Sequence, residues 1–281
     1  MITTAAGRSS ARIGVVTPGH VLRSEWTKLS SLRSTYWSLL IAAVALGGLG
    51  MLFAAILMSD WSRLALEHPQ LLAAERSHFS SIDAAVGGYH LAQLTLGVLG
   101  VLVVSGEYAT GMIRSSLMAV PQRLAVLWGK LTVFCGVTFA LMLWCALTAF
   151  FGVQAIVASH GVDRALGDPD ALRVVVGTAL YLTAIGALGV GLGALLRNAA
   201  AAISAFVAVL FVLPGAVALL PAGLSASISP YLPLNAGSAI ATTAQFGGAD
   251  RLAPWAGFGV FCAYTALVVG LAAWRLARAD A

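Results

Sequence analysis

Six stretches of this 281-residue chain are apolar for long enough to cross a bilayer, and nothing else in the sequence constrains its fold as strongly. A hydrocarbon core about 30 Å thick takes roughly 20 apolar residues of helix. The stretches cover about 36–58, 84–105, 124–158, 172–196, 199–220 and 255–274. The first carries no charge. The third is longer than a membrane is thick and has Trp128 and Lys130 near its start, so it is expected to extend into the cytoplasm. Runs of this length are not buried soluble strands. The alternating segments of about 10 residues that build a membrane barrel are absent. The expected fold is therefore an all-α integral membrane protein with six transmembrane helices. Composition agrees: 59% of the residues are hydrophobic and 10% are charged, against about 25% charged in soluble domains. An ordinary soluble enzyme, a disordered chain and a collagen-like fibre are excluded.

Orientation follows from the basic residues. With the N-terminus inside, 11 of the 16 Lys and Arg residues fall in inside segments, among them Arg23, Lys28, Arg114, Arg123, Lys130 and Arg275. The other five, Arg63, Arg76, Arg164, Arg173 and Arg251, fall outside. The positive-inside rule then places both termini in the cytoplasm of a plasma-membrane protein. The net charge of +5 reads as basic loops facing an anionic leaflet, not as a nucleic-acid surface. The first apolar run begins after some 35 residues, so it reads as an uncleaved anchor. Residues 1–17 read as a disordered cytoplasmic tail, and 18–281 as one six-helix domain.

Three pieces that do not span are informative. Before the first span, Leu22, Trp26, Leu29, Leu32 and Tyr36 recur every three or four residues, with Arg23, Glu25, Lys28 and Arg33 mostly elsewhere. This pattern is an amphipathic helix, lying in the membrane interface or packed on a partner as an extension of the first span. Between the second and third spans, Met112, Ile113, Leu117 and Met118 form an apolar stripe from which Arg114 projects. Thr110 could cap this short helix, Pro121 would stop it, and Gly111 gives a tight turn or a close approach. Such a helix presses on neighbouring spans, on headgroups or on a soluble protein. After the fifth span, 222–248 is too broken by proline to span yet too apolar for an ordinary loop, and reads as one or two re-entrant or interfacial half-helices. Pro214 is expected to kink the fifth span.

Chemical motifs are missing. Gly129-Lys130-Leu131 lacks the upstream glycine and the Ser or Thr of a P-loop. The five histidines are scattered, and Cys135, Cys145 and Cys262 form no zinc or disulfide pattern. Gly189 and Gly193, Gly97 and Gly100, and Gly47 and Gly50 read as close helix-packing sites. His90, Gln93 and Thr95 are the main polar groups near the start of the second span, facing a cavity or bonding between helices. Mid-membrane ionisable groups of the kind ion-coupled carriers use are lacking.

The chain resembles the permease subunit of ABC type-2 exporters, particularly the stand-alone actinobacterial form. Leu22 to Trp37 looks like that family's N-terminal elbow helix, with Leu22, Trp26, Lys28 and Leu29 in it. Glu107, Gly111, Arg114, Pro121, Arg123 and Lys130 match its cytoplasmic acid, Gly, basic, Pro-x-Arg and Lys pattern. Met112 stands where many members have Thr and preserves the apolar face. Leu188 to Asn198 looks like its fourth-to-fifth connection, and Pro214, Pro221, Pro230 and Pro233 match its proline-broken outer segment. The resemblance implies a half-transporter that pairs with a second permease chain, alike or different. Two copies of a separate ATPase would bind below and carry the ATP and Mg, with no cofactor on this chain. Glu107, Gly111, Met112, Arg114, Pro121 and Arg123 would form the coupling helix and the ATPase interface. The cargo would be hydrophobic or amphipathic, such as a drug, an antibiotic or a lipid-like molecule. The alternative is a non-transporting scaffold, sensor or immunity component that docks the same ATPase. A membrane-embedded enzyme is disfavoured by the missing motifs.

Overall fold

The structure, a computed structural model, describes residues 18–112, 123–243 and 251–278. The expected tail 1–17 lies outside them. All six expected spans are present as helices: α2 (Arg33–Glu67), α4 and α5 (Ser81–Val86 and Tyr89–Ala109), α6 (Arg123–Val157), α7 (Ala171–Leu196), α8 and α9 (Ala199–Val207 and Leu213–Ala218), and α12 (Pro254–Arg278). Helix α1 (Pro18–Ser31) precedes them, α3 (Pro69–His78) follows the first, and α10 (Ala222–Ile228) and α11 (Pro233–Ser238) lie before the last. Among the described residues there is no strand. The end of the bundle carrying α1 is termed the near end, and the end carrying α3 the far end.

Helix α7 is the centre of the bundle: 78% of its most apolar window is buried, against 22–28% for α2, the fifth span and α12. Glycine explains how it gets there. A Cβ on Gly189 would run into the carbonyl of Gly97, one on Gly100 into that of Gly186, and one on Gly193 would sit 2.7 Å from the oxygen of Val101. Helices α5 and α7 thus touch backbone to backbone, as small residues allow within a membrane. Gly50 does the same for α2 against Ala85. Gly47 does not: a Cβ there would meet nothing within 4 Å, so its expected packing role is corrected. It lies on a part of α2 that no neighbour approaches.

The second span differs from the single helix expected over 84–105. It begins earlier, where the Ser80 hydroxyl caps α4 by accepting from the Asp83 N–H, and it breaks at Gly87–Gly88. A side chain at Gly88 would collide with the Ala45 carbonyl, so the break lets this span press onto the α2 backbone. Helices α2 and α6 each run 35 residues, about 52 Å at 1.5 Å per residue, well beyond a hydrocarbon core of about 30 Å. Helix α2 stops at His68, since the following Pro69 disfavours helical backbone before it.

At Pro214 the fifth span does not break. It widens into a π turn over Ala208–Val212, immediately ahead of the helix that contains the proline. A π turn re-satisfies carbonyls that lack their usual partner, which is what a missing proline N–H requires. The proline-broken segment expected over 222–248 is indeed built of short pieces: α10, a 3-10 turn at Ser229–Tyr231, α11 and a 3-10 turn at Ala239–Ala241. Residues 244–250 of it lie outside the described residues. Asn235 holds the turn by donating from Nδ2 to the Ser229 carbonyl at 2.9 Å. Helix α11 is buried against Tyr181 and Phe261 through Gly237. In the core, the Tyr181 hydroxyl donates to Gln93 Oε1 at 2.6 Å, so Gln93 bonds between helices. His90 instead lines a far-end cavity, and the Thr95 hydroxyl bonds back to Leu91. The three cysteines are free and lie within α6 and α12.

Candidate functional site: an ion cluster at the near end

Four charged residues from three helices meet where the bundle is otherwise apolar. Lys130 Nζ donates to Glu25 Oε2 at 2.6 Å and to Glu107 Oε1 at 2.8 Å. Lys28 Nζ lies 2.6 Å from Glu25 Oε1 and 3.2 Å from Glu107 Oε1. Glu25, Glu107 and Lys130 are only 3%, 6% and 5% exposed. Two acids and two bases cancel, which is the condition under which buried charge is tolerable. Burial works against the charge of Lys28, but the hydrogen bond it donates to Glu25 and the charges of Glu107 and Glu25 outweigh it and raise its pKa above the usual lysine value. Glu107 Oε2 has no hydrogen-bond partner among the described residues.

The local structure explains how the cluster forms. Helix α1 lays Val21, Glu25 and Leu29 on α6, and Gly129 makes room: a Cβ there would come within 2.8 Å of a Val21 methyl. Leu29 joins Leu99 and Leu127 in a small apolar cluster beside the charges. Most of the apolar stripe of this amphipathic helix stays on the surface of the chain, where an interfacial helix would meet headgroups. Of Leu22, Trp26, Leu29, Leu32 and Tyr36, only Leu29 is buried, while Leu22 and Trp26 lie on the surface. Lys130 draws the acid side of the helix inward, so Glu25 occupies a position its polarity assigns to solvent. The chain straightens at Leu32 and α2 starts at once.

Glu107 lies near the end of α5 and Lys130 near the start of α6, so their pairing clamps both roots of the connection at 110–122. The connection leaves α5 by a terminating turn. The Thr110 hydroxyl donates back to the Gly106 carbonyl at 2.9 Å, and the Gly111 N–H donates to the Tyr108 carbonyl at 3.3 Å. Thr110 therefore closes α5; the segment it was expected to cap lies largely outside the described residues. Gly111 has φ +71°, and a Cβ there would meet nothing within 4 Å among the described residues. The glycine serves the left-handed turn. Met112 is exposed, Arg123 is the first residue of α6, and Arg114 and Pro121 lie outside the described residues. Glu107, expected on a docking surface, is buried, so it anchors the connection from within.

Other basic residues share this end. Arg197, with φ +56°, terminates α7 and places its guanidinium 5.3 Å from the Tyr108 ring. Arg275 donates to the Leu195 carbonyl. Sequence reasoning marked Glu107 and Lys130 by their order along the chain but missed their pairing and missed Glu25 altogether. The available signal was the isolation of single charges at the edges of long apolar runs, which calls for a partner nearby.

No protein-family model matches this chain, and neither does any curated protein or solved structure. What the chain itself establishes is an all-helical protein with six apolar helices long enough to cross a bilayer, a multi-pass membrane protein by length and composition.

Proposed function

We propose that this chain is the membrane-spanning permease subunit of an ATP-driven exporter of the ABC type-2 kind. One observation carries the reading: a buried ion cluster ties an amphipathic N-terminal helix to both roots of the 110–122 connection. A push on that connection reaches α1, α5 and α6 together, because Lys130 and Glu107 leave no slack between them. A chain that hydrolyses nothing itself but moves cargo needs such a point of entry for work done elsewhere. In this reading the near end, which holds most of the basic residues, faces the cytoplasm together with both termini. A separate P-loop ATPase, present twice and carrying ATP and Mg, rests against the segment around Met112, Arg114, Pro121 and Arg123. A second permease chain completes the pathway, and the cargo is apolar or amphipathic.

The test is copurification. The tagged chain is extracted gently from its native membrane and examined for a bound P-loop ATPase, then again as Arg114→Glu and Gly111→Trp. The reading expects the ATPase with the native chain, and its loss or uncoupled hydrolysis in the two variants. Absence of any ATPase in several mild detergents overturns it.

A further inference from the structure

Two cavities of opposite character adjoin at the far end, and Phe79 and Ser80 line both. The larger, about 920 Å³, is walled by Leu52, Phe53 and Ile56 of α2 together with Trp61, Phe79 and Tyr89. Leu52, Phe53 and Ile56 are exposed on the flank of the bundle, so this cavity opens sideways where lipid chains would lie. The smaller, about 480 Å³, is lined by Arg76, Arg164, Asp163, Asp168, Asp170 and Ser81. An apolar cavity beside a charged one is the shape of a site for a molecule with a tail and a head.

The charged cavity presents both signs. Asp170 is paired with Arg173 at 2.9 Å. Asp168 lines the cavity, and its Oδ2 accepts the Ala165 N–H at 3.0 Å. Asp163 and Arg164 are exposed neighbours on the same loop. Arg76 stands with its guanidinium 5.6 Å from the Trp61 ring, at the boundary between the two spaces. Ser81 also lines the polar cavity, but its Oγ is closed off from the space.

From this geometry we infer that the paired cavities bind a zwitterionic amphiphile. Its apolar tail lies along α2 between Phe53 and Trp61. Its anionic group meets Arg164 and Arg76. Its cationic group meets the carboxylates of Asp163 and Asp168. A head of one sign would leave half of these groups unanswered. The inference deepens the export reading by naming a class of cargo. Binding is measured with no ATPase present, so its failure and a failure to copurify an ATPase are separate results.

The experiment uses the purified full chain in a non-ionic maltoside micelle and three probes with the same bromine-labelled dodecyl tail. Their heads are phosphocholine, trimethylammonium and phosphate. Quenching of tryptophan fluorescence reports binding, and Trp61→Phe identifies the component that arises in the cavity. The phosphocholine probe is expected to saturate at a mole fraction at least ten-fold below either of the others. Arg164→Gln should cut its advantage over trimethylammonium to less than two-fold. Asp163→Asn with Asp168→Asn should do the same to its advantage over phosphate. Equal quenching by the three probes in the native chain, or a preference that survives either variant, overturns the assignment.

Discussion

Lys130 Nζ lies 2.6 Å from Glu25 Oε2 across 105 residues of sequence, and the same nitrogen lies 2.8 Å from Glu107 Oε1. One ammonium therefore holds three helices. Replacing it strands two buried acids with Lys28 as their one counter-charge among the described residues. Lys130→Met is expected to destabilise the chain by roughly 3–5 kcal/mol, the usual cost of breaking a buried pair from one side. Glu25→Gln combined with Lys130→Met leaves Glu107 balanced by Lys28 and should recover at least half of the loss. Denaturant titration in mixed micelles measures both variants, and a double variant no better than the single one would refute the charge-balance account.

Glycines at two positions should respond with opposite signs. Gly189→Leu forces a side chain into the Gly97 carbonyl and parts α5 from α7; overpacking of this kind costs about 1–3 kcal/mol or more. Gly47→Ala meets nothing within 4 Å and removes a helix-interior glycine, so it should gain about 0.5–1 kcal/mol. Thermal unfolding midpoints in detergent would show one variant falling and the other rising.

The raised pKa of Lys28 has a definite consequence at alkaline pH. Unfolded, this lysine titrates near 10.5. Its folded value is higher, so its contribution to stability is complete below about 10.5 and is lost as pH rises through the folded value. The unfolding midpoint of the native chain should fall as pH is raised above about 10.5. Lys28→Met should start lower and show a shallower alkaline fall; identical slopes would mean that Lys28 does not feel the two carboxylates.

Gly111 should be replaceable by Asn but not by Val. Its φ of +71° is the difficulty, since a side chain there finds open space. Asn visits the left-handed region with little strain, whereas ordinary L-residues lose about 1–2 kcal/mol there. Unfolding midpoints ranked Gly, Asn, then Val would bear this out. Equal midpoints for Asn and Val would show that the turn has some other basis.

The spans were legible because solvent dictates them: a bilayer demands unbroken apolar helix, and the boundaries of α6 and α7 fall within a residue or two of those read from the sequence. The glycine contacts at Gly97, Gly100, Gly189 and Gly193 were legible for a related reason, since small residues three or four apart share one helix face and have few other uses in such helices. The break at Gly87–Gly88 was not, because its cause is the Ala45 backbone some 40 residues earlier in the chain. Glu25 was hidden in the same way. Its position in α1 marks it as polar surface, and only the approach of Lys130 from α6 turns it inward. The two far-end cavities depend on how α2, α3 and the loop at 161–170 converge, which no local pattern encodes.

The contact between α5 and α7 has a mechanical consequence. Side chains can change rotamer and so cushion a displacement, but two backbones in direct contact cannot. The pair has almost no compliance and behaves as a single stiff strut. Helix α5 runs 21 residues from Tyr89 to Ala109, about 31 Å at 1.5 Å per residue. A tilt imposed at Glu107 is therefore shared by α7, and it meets a second backbone contact at Gly88 against Ala45 of α2 at the opposite end.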